Sequence, residues 1–133
     1  MSPYLFVYGT LRRDAQHPMA DYLNQQAQWI GPARYQGTLY QVADYPAVVA
    51  SSDPADTVYG EVYQLLTAEL WSVLDDYEQC SPSFPTPSEY QRLLQTVYLS
   101  SGEAISAWVY LYNRSISGLE VIESGDFFDL NPR

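Results

Sequence analysis

The chain has 133 residues, 47% of them hydrophobic and 15% aromatic, which is enough apolar material for one core and one domain spanning residues 1–133, and too much for a disordered chain. Its formal net charge is -10 and every basic residue is an arginine; with no cationic stripe to neutralise phosphates, the expected partners include no nucleic acid and no anionic membrane. The one cysteine, Cys80, rules out an intramolecular disulfide and a zinc site built from several thiolates.

No basic start followed by an apolar run is present, and no stretch approaches the ~18 apolar residues of a membrane span. The expected location is therefore cytoplasmic. Tyr4–Tyr8 is a short apolar and aromatic run ended by Gly9 and reads as a buried first strand. His17-Pro18 opens a segment, Met19 to Gln26, expected to be a helix with Met19, Tyr22 and Leu23 on one side. Trp29 to Tyr45 is expected to form strands with bends at Gly31-Pro32 and Gly37. Tyr45–Ala50 is a further strand, Ser51–Asp56 a polar turn, and Val58–Leu66 a strand in which Gly60 marks a bulge or a close approach.

Thr67 to Glu78 carries the strongest helical signal, with Thr67 placed to cap it and Leu70, Val73, Leu74 and Tyr77 on one stripe. Cys80 to Ser88 holds three prolines and three serines and reads as a loop. Tyr90–Leu99 and Ala104–Tyr112 alternate and flank the turn Ser100–Glu103, which makes a hairpin. The tail from Gly118 is expected to cover one end of the sheet. Many short strands with one or two helices point to a mixed α+β fold, a small β-barrel or strongly curved sheet with flanking helices.

Two places could carry chemistry. The first is Val7-Tyr-Gly-Thr-Leu11, where Gly9 lets the backbone turn and approach a ligand. Consecutive N–H groups there can form a concavity that suits a carboxylate. The same residues also fit a plain strand followed by a turn. The second is the acidic end of the helix. At about 100° per residue, Asp75 and Asp76 project about 140° and about 120° from Leu70, on the expected wet face, and Glu78 about 80° away, at the core margin. The helix dipole, partial burial and two neighbouring aspartates all push a carboxyl there toward a raised pKa. Such a group suits acid–base work near neutral pH, and the cluster equally fits a solvated helix end.

Other residues offer less. His17 is the one histidine, it precedes a proline, and no Gly-x-Ser-x-Gly elbow accompanies it. Cys80 has no basic neighbour in sequence to lower its pKa. Asp75, Asp76 and Glu78 diverge on a helix, which disfavours a shared Mg or Ca site, so no metal is expected.

Four pieces in fixed order carry a resemblance: Phe6-Val-Tyr-Gly-Thr-Leu11, Gly60-Glu-Val-Tyr63, Leu74-Asp-Asp-Tyr-Glu-Gln-Cys80 and Tyr90-Gln-Arg92. Ala107-Trp-Val-Tyr110 and Ser124-Gly-Asp126 fit as well. Together they resemble the gamma-glutamylcyclotransferase-like family, in particular its gamma-glutamylamine cyclotransferase branch with the AIG2-like proteins. The resemblance implies a small β-barrel with flanking helices and the cyclisation of a γ-glutamyl amine or peptide to 5-oxoproline, without metal or organic cofactor. It places the family's catalytic glutamate on Glu78 and its substrate-binding loop on Tyr8, Gly9, Thr10 and Leu11. The small-molecule γ-glutamyl substrate is then the expected partner. Arg92 pairing with an acid, and a hydrogen bond from Tyr110, stand beside plain sheet packing as readings of those two residues. The segment Ser81–Ser88 lengthens the chain beside Glu78 relative to that branch. A non-catalytic binding or regulatory module on the same fold is the alternative, and a hydrolase releasing glutamate a third reading.

Overall fold

The structure, a computed structural model, describes residues 2–9, 11–12, 18–42, 45–77 and 90–127. The expected run at the N-terminus forms β1 (Tyr4–Val7), and the segment after Pro18 forms α1 (Pro18–Gln26). Between Trp29 and Tyr45 the expected set of strands is one long strand, β2 (Ala27–Val42). Its two glycine positions still matter. The register with β4 shifts between Trp29 and Gly31, and at Gly37 the strand changes partner. Up to Gln36 it pairs with β4 (Thr57–Leu65); from Gly37 onward it pairs with β3 (Tyr45–Ala50). A single backbone therefore serves two sheets, and the bend falls where one ladder hands over to the next.

After α2 (Glu69–Tyr77) come the hairpin strands β5 (Tyr90–Leu99) and β6 (Ala104–Tyr112), and then β7 (Glu120–Val121), which pairs with β2. The order β2-β4-β1-β6-β5 closes on itself because β5 returns to β2 through Ala33–Leu99 and Arg34–Tyr98. The result is a five-stranded barrel, antiparallel except for the parallel pair β1–β6. Closure satisfies the edges that an open sheet would leave bare.

Alternation along the strands sorts the apolar residues into two clusters. Val58, Val62, Val97 and Val109 are fully buried with Phe6 and Tyr35 inside the barrel. Leu5, Val7, Tyr63, Leu65 and Tyr110 face outward and are covered by Leu23 of α1 and by Leu70, Trp71 and Leu74 of α2. Gly60 is the close approach expected of it. A Cβ there would lie 2.1 Å from the carbonyl oxygen of Val7 and 2.9 Å from the ring of Phe6, so the β1–β4 contact admits no side chain. The tail does cover one end: Ile122 is buried in the interior cluster, and the Tyr59 amide donates to the Gly125 carbonyl at 2.8 Å.

Candidate functional site

The parallel pairing of β1 and β6 brings their C-terminal ends to one end of the barrel, where β5 begins opposite Tyr112. The turn that follows β1 therefore opens at this end. Its backbone closes through the Arg12 amide on the Gly9 carbonyl at 3.0 Å. A Cβ on Gly9 would lie 2.4 Å from Cγ of Pro46, so the absent side chain is what lets the start of β3 pack on the turn. Tyr90 fastens the same corner, its hydroxyl donating to the Pro46 carbonyl at 2.6 Å. Tyr8 points its ring into the barrel cluster and donates its hydroxyl to the carbonyl of Tyr110. Leu11, 4% exposed, joins the outer cluster with Leu70, Trp71 and Leu74 of α2. Of the predicted residues, Leu11 thus packs with α2, while Gly9 packs on Pro46 and Tyr8 turns its ring into the barrel. Thr10 and Glu78 lie outside the described residues, as do His17, Cys80 and the segment Ser81–Ser88.

The face that α2 presents differs from the expected stripe. Leu70, Trp71 and Leu74 are buried, whereas Val73 is 38% exposed. Counting Trp71 with the two leucines moves the stripe centre to about 50° from Leu70, which leaves Val73 about 110° away and Asp75 about 90° away. Asp75 is consequently at the margin rather than on the wet face; its side chain is 19% exposed. Asp76 is exposed as expected.

Asp75 is also the hub of a polar cluster. Arg92 of β5 donates Nε to Oδ1 at 2.8 Å and Nη2 to Oδ2 at 3.1 Å, a two-pronged fork on one carboxylate. Tyr110 of β6, directly opposite Arg92 in the ladder, donates its hydroxyl to Oδ1 at 2.7 Å. The guanidinium carbon stands 4.5 Å from the ring centre of Trp71 and 4.9 Å from that of Trp108, over two rings that meet edge to face. A carboxylate in the last turn of a helix faces the negative end of its dipole, and α2 has no basic residue of its own there. Arg92, supplied from the barrel, offsets that. Both readings of Arg92 and Tyr110 therefore come together: each belongs to the sheet and each holds an acid. The position of Trp71 in the helical projection is the signal that locates Asp75.

A second charged group sits beside the turn. Arg12 pairs with Asp126 at 2.6 Å and with the buried Glu61 at 3.5 Å, tying the turn to β4 and to the tail. Separately, a cleft of about 480 Å³ lies between β2, the start of β4 and the tail, lined by Thr38, Asp56, Thr57, Tyr59, Glu123 and Ser124 among others. None of the predicted site residues lines it. Among the described residues, no group of three or more His, Cys, Asp or Glu is placed to hold a metal. No described helix is long and apolar enough to cross a membrane.

The sequence profile of the family "Gamma-glutamyl cyclotransferase, AIG2-like" matches residues 5–129. Over 131 residues the chain is 37% identical to the gamma-glutamylcyclotransferase family protein YtfP of Escherichia coli (strain K12), a match covering 94% of this chain and 96% of that one. The solution NMR structure of ytfP from Escherichia coli superposes with a TM-score of 0.63 at 32% identity, over 95% of this chain and 96% of that one. The crystal structure of YkqA from Bacillus subtilis superposes with a TM-score of 0.70 at 29% identity, over 95% of this chain and 39% of that longer chain. The matches run through the barrel, α2 and the turn after β1 alike, and the chain belongs to the gamma-glutamyl cyclotransferase, AIG2-like family.

Proposed function

We propose that this protein, acting as one domain, converts a γ-glutamyl amine or peptide into 5-oxoproline and a free amine. The reaction is intramolecular. The α-amine nitrogen of the glutamyl unit attacks the γ-carbonyl carbon, a ring C–N bond forms, and the C–N bond to the leaving amine breaks. One proton moves from the attacking nitrogen to the leaving nitrogen, so no water, oxidant or nucleotide is consumed. Glu78 is the general base that takes that proton and the general acid that returns it. Tyr8, Gly9, Thr10 and Leu11 form the substrate-binding turn, whose backbone N–H groups hold the α-carboxylate and fold the chain so that the amine faces the carbonyl.

The observation that carries this reading is the packing of Leu11, at the end of the turn, with α2. Leu11 shares one apolar cluster with Leu70, Trp71 and Leu74, and Tyr110 joins the hydroxyl of Tyr8 to the carboxylate of Asp75. Glu78 follows Leu74 by four residues and Asp75 by three in the sequence, the spacing of neighbours on one face wherever a chain is helical. General acid–base chemistry needs such a carboxyl within reach of a held substrate.

The test is to incubate the protein with a panel of γ-glutamyl amines and peptides and to quantify 5-oxoproline and glutamate by mass spectrometry. 5-Oxoproline is expected, and Glu78→Gln is expected to lower its rate by about 100- to 10,000-fold at an unchanged thermal midpoint. Glutamate in place of 5-oxoproline would make water the nucleophile and the protein a hydrolase. Binding without any product would make it a recognition module, and full turnover by Glu78→Gln would remove that residue from the chemistry.

A further inference from the structure

We infer that Arg92 and Tyr110 are positioning residues that act through Asp75 to fix the end of α2 against the turn after β1. The inference rests on the cyclotransferase reading, because it assigns these residues a part in that reaction, and its geometry lies wholly within the described residues.

A helix on a barrel is ordinarily held by its apolar stripe, and Leu70, Trp71 and Leu74 already supply one. An apolar contact resists separation but leaves a helix some freedom to slide and roll. The carboxylate of Asp75 removes that freedom. It receives three hydrogen bonds from two adjacent strands: two from the Arg92 fork and one from the Tyr110 hydroxyl. Two parallel prongs fix the orientation of the carboxylate as well as its distance. Arg92 is itself confined by lying over both Trp71, on the helix, and Trp108, on β6. Trp108 is in turn tied to the N-terminal segment by its ring N–H on the Ser2 carbonyl at 3.0 Å.

Tyr110 makes the corner matter to the site. Its hydroxyl holds Asp75, and its carbonyl accepts the hydroxyl of Tyr8, the first residue of the substrate-binding turn. One residue of β6 therefore spans from that turn to the last described turn of α2. The chain that bears Glu78 leaves from that turn of the helix, so its starting point is set by the fork. Displacements near 1 Å cost up to about 100-fold in reactions that depend on positioning, and an internal ring closure depends on little else.

The experiment uses Tyr110→Phe, Arg92→Lys and the double variant, with full kinetics on the best substrate from the panel. Tyr110→Phe keeps the ring and is expected to fold normally. Arg92→Lys keeps the charge but loses the planar fork and its stacking. Each variant is expected to lower kcat by about 10- to 100-fold while KM stays within about 3-fold. Because both act through one carboxylate, the double variant is expected to be no slower than about the slower single variant, where independent roles would multiply. Unchanged kcat, a rise in KM alone, or multiplied losses would each overturn the inference. If the unmodified protein yields no 5-oxoproline from any substrate, the cyclotransferase reading fails, and amide hydrogen exchange decides the anchoring separately. Exchange of residues 74–77 is then expected to quicken at least about 10-fold in both single variants, and unchanged exchange would overturn it.

Discussion

The two apolar clusters are built from the same tyrosine- and valine-rich sequence and do different work. Inside the barrel the filling is mostly branched aliphatic side chains, with Val58, Val62, Val97 and Val109 fully buried in one cluster. Outside, beneath the helices, leucines still make up much of the filling, but three buried tyrosines stand among them with their hydroxyls engaged. Tyr63 donates to Asn24 of α1 at 2.8 Å, Tyr90 to the Pro46 carbonyl and Tyr110 to Asp75. An aliphatic cluster specifies volume and little else, whereas an aromatic with a hydroxyl fixes a partner at a set distance and direction. The interior cluster therefore carries the stability of the barrel, and the tyrosines of the outer cluster fix the geometry of the parts mounted on it. Tyr8 bridges the two, with its ring inside and its hydroxyl on the backbone of Tyr110.

The strongest way to break that division is to strike the interior where it has no room. Gly60→Ala places a methyl 2.1 Å from the Val7 carbonyl oxygen, which is backbone and cannot swing aside. The β1–β4 ladder must separate at its Val7–Glu61 end, and a loss of about 4 kcal/mol or more, or no folded protein at all, is expected from urea titration. A stable Gly60→Ala variant would show that the barrel wall yields there, and the interior could no longer be treated as the rigid partner of the comparison.

Most of the architecture is legible in the sequence because barrel strands obey alternation and the turns between them carry strong punctuation. Tyr45–Ala50, Tyr90–Leu99 and Ala104–Tyr112 stand where the pattern puts them. The long strand β2 is read as several because a glycine signals a break, while a change of pairing partner at Gly37 leaves the same signal without ending the strand. At the site, the turn Tyr8–Leu11 is visible from Gly9 alone, since a glycine after a buried strand marks a backbone that must come close to something; here that something is Pro46. Asp75 is misjudged for a different reason. A stripe drawn through Leu70, Val73, Leu74 and Tyr77 leaves out Trp71, whose burial beside Leu70 and Leu74 rolls the helix toward Asp75. The cross-strand pairing of Arg92 with Tyr110 has no local trace, because it depends on the β5–β6 register rather than on either strand's own pattern.

Asp75→Asn sharpens the comparison from the outer side. The amide keeps the size of the carboxylate and an oxygen that accepts a hydrogen bond, but Arg92 loses the charge opposite it while remaining over Trp71 and Trp108. The expected loss is about 1–3 kcal/mol, smaller than for Gly60→Ala, because the pair keeps some access to water. Production of 5-oxoproline should nevertheless fall by about 10- to 100-fold in the folded protein. Thermal midpoints measured beside product formation check both halves. A variant that is fully active yet as unstable as Gly60→Ala would reverse the roles assigned to the two clusters.

The smallest expected effect concerns Tyr35, the interior residue whose hydroxyl has most in common with the outer cluster. Its ring lies among the barrel side chains, 3% exposed, and its hydroxyl donates to Oε1 of Gln95 at 2.7 Å. Burial raises its pKa above the ordinary 10.0, because the phenolate would have to form away from water. The folded protein thus holds this proton more tightly than the unfolded chain does. The stability linked to it is complete below pH 10.0 and is lost as pH rises from there through the folded-state value. Tyr35→Phe removes both the hydrogen bond and the titration. At pH 8 the variant should be about 1 kcal/mol less stable than the parent. Above pH 10 the parent alone pays the linkage cost of Tyr35, so the gap should narrow by up to about 1.4 kcal/mol per pH unit. Urea titrations of both proteins at pH 8 and at intervals up to pH 11 measure that gap directly, with the other tyrosines common to the two. A constant gap across the range would mean that Tyr35 titrates alike in the folded and unfolded chain, and that the barrel interior at this height is wet.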